Sequence, residues 1–141
     1  MLERQLTKIA LAVAANLNQA ANTALLTFTV TKPVEIRRFG VVADSANGLL
    51  AASVLKMRKL PAATGTAADV TGAVLTTGAV VARGFGIYRT LATRVTGVPG
   101  DKFTVAVSTD AGGASTGEVF IEYEELPFAG SPIDNMTEKT A

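Results

Sequence analysis

From Thr23 onward, apolar and polar positions alternate with a period of two, the pattern of strands that bury one face. In Ala24 to Thr31, Leu26, Phe28 and Val30 face one way and threonines the other. Pro33 interrupts, and alternation resumes over Val34-Glu35-Ile36-Arg37-Arg38-Phe39. Within Leu49 to Leu60, Val54, Lys56 and Arg58 oppose Leu55, Met57 and Lys59. Phe85 to Val95 reads as a further strand, with Gly84 and Gly86 marking a bulge or a close backbone approach. Lys102 to Ser108 presents Phe103, Val105 and Val107 on one face; Glu118 to Glu125 presents Val119, Ile121 and Tyr123. Thr71 to Val81 is ambiguous, because Gly72 and Gly78 loosen any strand there.

Turn-forming clusters separate these segments: Asp44-Ser45-Ala46-Asn47-Gly48, Val98-Pro99-Gly100-Asp101 and Asp110-Ala111-Gly112-Gly113-Ala114. Short strands with such punctuation and no helical pattern between them indicate an antiparallel sandwich or barrel. The inner faces are expected to contain Leu26, Phe28, Ile36, Val105, Val107, Val119, Ile121 and Tyr123.

The N-terminus reads differently. Leu2, Leu6, Ile9, Val13 and Leu17 recur at steps of four, three, four and four, one face of an amphipathic helix. Such a helix either caps the domain's own core or serves as an arm that docks on another subunit. The sequence therefore divides into an N-terminal helix or arm over 1–22, a β-sandwich over 23–128 and an extended polar tail over 129–141. Lys8 followed by Ile9 to Ala15 resembles a secretory leader, but the apolar run is short and Glu3 sits where a leader is cationic. No stretch approaches the roughly 20 apolar residues of a membrane span.

Composition narrows the chemistry. The 141 residues include no His, no Cys and no Trp, while Ala, Gly, Thr and Val make up half the chain. Disulfides are excluded, as is the side chain that titrates unperturbed near neutral pH, and no cofactor or enzymatic activity is expected. Folding in a reducing cytoplasm fits this composition. Asp101 and Asp110 could join Asp44 or Asp69 around calcium, but none lies in a D-x-D-x-D loop, and turn aspartates usually cap backbone amides. Glu122, Glu124 and Glu125 resemble glycosidase carboxylates without the exposed aromatics that sugar sites use. Gly84-Phe85-Gly86-Ile87-Tyr88-Arg89 lacks the third glycine of a dinucleotide fingerprint.

Net charge is only +1, but its distribution is uneven. Residues 32–94 carry nine basic and three acidic groups, whereas 95–141 carry two basic and eight acidic groups. Either the two stretches interleave in one sheet sandwich, or opposite faces meet on neighbouring copies. Glu122 and Glu124 are expected to face cations, with Arg37, Lys56, Arg58, Arg83, Arg89 and Arg94 as candidates. Lys56, Arg58 and Lys59 form one basic patch with Arg37 and Arg38 only if their strands lie together. Without interleaved aromatics, no sequence-specific nucleic-acid binding is expected.

The run from Val98 to Val107, a Gly-rich turn, and then Gly117 to Phe128 (GEVFIEYEELPF) resembles tailed-bacteriophage capsid decoration, or cement, proteins of jelly-roll type. The resemblance implies an all-β, antiparallel jelly-roll-like sandwich of about eight strands, following the N-terminal helix or arm. It also implies a non-enzymatic virion protein on the capsid exterior, made in the host bacterial cytoplasm. Its partners would be the major capsid protein shell and itself, as a homodimer or alternatively a homotrimer, with no membrane involved. A carbohydrate-binding or adhesin module is the alternative. The candidate subunit or shell contacts are Leu2, Leu6, Ile9 and Val13 on the N-terminal stripe, the basic Arg37, Arg58, Arg83 and Arg89, and the acidic Glu122 and Glu124.

Overall fold

The computed structural model describes residues 7–43, 53–77, 84–109 and 116–126. These form eight strands: β1 (Thr7–Asn16), β2 (Ala24–Thr29), β3 (Val34–Ala43), β4 (Val54–Leu60), β5 (Ala68–Thr76), β6 (Gly86–Gly97), β7 (Lys102–Thr109) and β8 (Thr116–Glu125). They pair antiparallel in two four-stranded sheets. Sheet A has the order β1-β8-β3-β6 and sheet B the order β2-β7-β4-β5. The sheets stack so that β1 lies against β2 and β6 against β5.

The inner faces follow from alternation. Sheet A contributes Val34, Ile36, Phe39, Val41, Val119 and Ile121; sheet B contributes Leu55, Met57, Phe103, Val105 and Val107. Leu17 and Val30, from the connections on either side of β2, close the rim of this core. Of the expected inner-face residues, Phe28 and Tyr123 are only partly buried but pack against the core, and the other six are buried.

The N-terminal helix is not formed: residues 7–16 are strand β1, and no helix occurs among the described residues. Their actual period is two. Ala10 and Ala12 pack toward the core opposite Ile121 and Val119, while Ile9 and Leu11 are 59% and 50% exposed. Alanine favours a helix locally, but β8 offers a free row of backbone donors and acceptors that an adjoining strand satisfies. Leu17, which also fits the helical spacing, is buried in the core. Leu2 and Leu6 lie outside the described residues.

A bulge in β3 reconciles two adjacent arginines with a buried face. Ile36 opposes Tyr123, and the next aligned pair is Arg38 with Glu122, so β3 advances two residues while β8 advances one. Both arginines thus keep to the outside, and Phe39 and Val41 return to the core. Strand β6 accommodates the same place with a larger irregularity, stepping from Val95 to Thr90 as β3 moves from Ile36 to Arg38.

Candidate functional site

The β3 bulge organises the outer face of sheet A into a charged cluster. Glu35 on β3 and Glu124 on β8 stand directly opposite each other, an arrangement that like charges disfavour. Arg37, the bulged residue, reaches both, with nitrogens 3.2 Å from Glu35 and 2.7 Å from Glu124. The hydrogen bond to Glu124 raises the Arg37 pKa above its ordinary value, so the guanidinium stays charged. Arg94 of β6 approaches Glu35 at 3.5 Å.

Arg38 makes a two-pronged contact with Glu122, through Nε to one carboxylate oxygen and through Nη2 to the other at 2.8 Å. The bidentate geometry fixes both side chains in one plane. The same guanidinium lies over the Tyr88 ring, 4.5 Å from its centroid. These groups border a groove of about 360 Å³ lined by Glu35, Arg37, Arg38, Leu91, Arg94 and Glu122.

Beside this charged row runs an apolar one. Leu11, Phe120, Gly40 and Tyr88 occupy one register line across β1, β8, β3 and β6. Gly40 lets the Phe120 ring lie flat on the sheet: a Cβ there would come within 2.7 Å of Phe120 Cζ and 2.2 Å of the Ile87 carbonyl oxygen. Tyr88 is 56% exposed and Leu11 half exposed. The outer face of sheet A thus has an ion-paired row and an accessible apolar row.

The outer face of sheet B carries a smaller cluster. Asp69 on β5 accepts from Lys56 at 3.2 Å and Arg58 at 2.9 Å, and its pKa is lowered, chiefly by the Lys56 hydrogen bond. Lys56 and Arg58 are therefore on the opposite outer face from Arg37 and Arg38, and the combined basic patch is not assembled. Lys59 instead donates to the Thr96 carbonyl at 2.9 Å and lies over the Phe103 ring. Asp101 is buried at the β6–β7 turn, where its carboxylate accepts from the N–H groups of Val98 and Ala62. It ties two loops together, the capping role of a turn aspartate.

Among the sequence candidates, Arg37, Glu122 and Glu124 gather in one cluster, and Ile9 borders it across from Glu122. Arg58 is on the other sheet, and Arg89 is exposed on β6 opposite Phe39. Arg83, with Leu2 and Leu6, lies outside the described residues, as does the Val13 side chain. Both glutamates find cations within their own chain, so the basic and acidic stretches interleave across β3 and β8. Leu11 and Phe120 are not among the sequence candidates, and Arg38, expected only as part of a basic patch, and Tyr88 are not among the expected shell contacts. The alternation of large and small residues in Ile9-Ala10-Leu11-Ala12 was the available signal for Leu11.

No protein-family model matches this chain, and no curated protein matches it significantly.

Proposed function

We propose that this chain is a non-enzymatic jelly-roll decoration protein that binds the outer surface of a tailed-phage capsid and stabilises the shell. The observation that carries the reading is the strand order. Two four-stranded sheets ordered β1-β8-β3-β6 and β2-β7-β4-β5 fit the double Greek key of jelly rolls, an architecture used by viral capsid and lectin domains. The resemblance drawn from Val98 to Phe128 points to the same reading.

The outer face of sheet A is the proposed shell-binding surface. Its arginines and glutamates are held by one another, so docking costs little side-chain ordering, and its apolar row supplies area to bury. The test is addition of the purified protein to expanded, empty phage heads. Saturable binding and increased resistance of the heads to heat are expected, and Tyr88→Ala or Phe120→Ala should weaken both. Heads that neither bind the protein nor gain heat resistance would refute the proposal.

A carbohydrate-binding module is the second reading, favoured by the exposure of Phe85 (67%) and Tyr88 (56%). Retention on immobilised host-surface glycans, abolished by Tyr88→Ala, would support it over shell binding.

A further inference from the structure

The four outermost strands of the two sheets are not equally guarded. A strand edge offers unpaired backbone donors and acceptors, and proteins usually blunt it with short length, charge, proline or bulges. Strand β2 has six residues and a register break between Ala24 and Leu26. Strand β5 carries a glycine at φ +76° (Gly72) and a register break, and its Asp69 is paired with Lys56 and Arg58. Strand β6 carries Arg89 and Arg94 and the irregularity between Thr90 and Val95.

Strand β1 is less guarded. It spans ten residues without proline, and although its register with β8 shifts between Ala12 and Ala15, the pairing from Thr7 to Ala12 is unbroken. Its single charged residue, Lys8, is neutralised from within by Glu125 at 2.9 Å. Along its outer face stand Ile9 and Leu11, two of the most exposed aliphatic side chains among the described residues.

We propose that β1 is a homotypic pairing edge: two copies of this chain join β1 to β1 antiparallel about a twofold axis, making one continuous eight-stranded sheet from two A sheets. The occupant is a second copy because this pairing is self-complementary. The twofold axis turns β1 antiparallel to itself, brings Ile9 and Leu11 beside their counterparts on one face, and opposes no uncompensated charges. Backbone hydrogen bonding across the new seam satisfies the side of β1 that no described strand pairs, as in strand addition generally. The inference rests on the self-association expected of the proposed function, but not on shell binding.

Sedimentation of the purified full chain, with no shell present, tests it. A reversible, concentration-dependent dimer is expected. Leu11→Lys and Leu11→Thr should each raise its dissociation constant, the lysine by about tenfold or more, as loss of a well-packed anchor does. Both should retain the β circular dichroism signal, because Leu11 is solvent-facing in the single chain. Val74→Lys, at a similarly exposed position on β5, should leave dimerisation unchanged. Since the chain has no cysteine, Leu11→Cys should form an interchain disulfide on oxidation and Val74→Cys should not. A chain monomeric at every concentration overturns the inference, as do Leu11 variants that dimerise like the parent or a Val74→Lys variant weakened equally. The shell-binding test stands apart from each of these results.

Discussion

Phe28 and Tyr123 stack with ring centroids 4.3 Å apart and planes 26° from parallel, although they belong to different sheets. Phe28 stands on β2 and Tyr123 on β8, so the pair clasps sheet B to sheet A at the rim of the core. Each ring covers the other's otherwise wet face.

Tyr123→Ala should therefore cost about 2–4 kcal/mol of unfolding free energy in urea titration, somewhat less than truncation of a fully buried aromatic. Tyr123→Phe keeps the stacked ring and should cost less than about 1 kcal/mol. Equal losses in the two variants would mean that the hydroxyl, not the stack, matters.

Arg37 separates two facing glutamates, and its removal leaves them opposed. Arg37→Ala should destabilise by about 0.5–1 kcal/mol, a modest figure because the side chain is 46% exposed and screened by solvent. Glu124→Gln added to Arg37→Ala should recover part of that loss. A double-mutant cycle by chemical denaturation reads the coupling directly, and strict additivity would contradict it.

Stability should be flat across neutral pH and fall on acidification. The chain has no histidine, so no side chain of ordinary pKa titrates between about pH 6 and 8. Burial pushes the Asp101 carboxyl up, but the N–H groups of Val98 and Ala62, with Lys59 nearby, outweigh it and leave the pKa below its ordinary value. A depressed folded-state pKa contributes stability above the unfolded value, about 3.9, and that contribution is lost as pH falls through the folded value. Glu125, held down chiefly by Lys8, acts in the same direction. Asp101→Asn should lower stability at pH 7 by about 1–3 kcal/mol and flatten the acid limb, measured by thermal unfolding from pH 7 to pH 2. An unchanged acid limb in that variant would assign the dependence to other carboxylates.

Gly40→Ala tests the close crossing of β3 and β6 beneath Phe120. The added methyl meets a backbone carbonyl at 2.2 Å, which cannot swing aside as a side chain can. A loss of about 1–3 kcal/mol is expected, at the upper end of that range. Phe120→Ala in the same chain should relieve only the ring contact. Full rescue by Phe120→Ala would show that the carbonyl had room to move.

The strands that bury one face were legible in the sequence because a one-residue slip would turn the whole apolar set toward water. Leu26, Ile36, Val105, Val107, Val119 and Ile121 could be placed inside on that ground alone, and the carboxylates Glu122 and Glu124 outside. The uneven split of charge along the chain implied that cations would face those glutamates. Alternation did not reveal that Arg38 holds Glu122, because the β3 bulge shifts the phase at Arg37 and only the opposing strand shows where a residue is extra. Nor could local pattern decide β1. Ile9, Val13 and Leu17 fit a helical stripe, while Ile9-Ala10-Leu11-Ala12 fits a strand just as well, and short segments leave both periods open. The choice fell to β8, more than a hundred residues away, whose edge supplies the hydrogen bonds that make residues 7–16 extended. Periodicity along the chain determined which side chains face inward; non-local backbone pairing determined which of the described strands are neighbours, and with them the charged cluster.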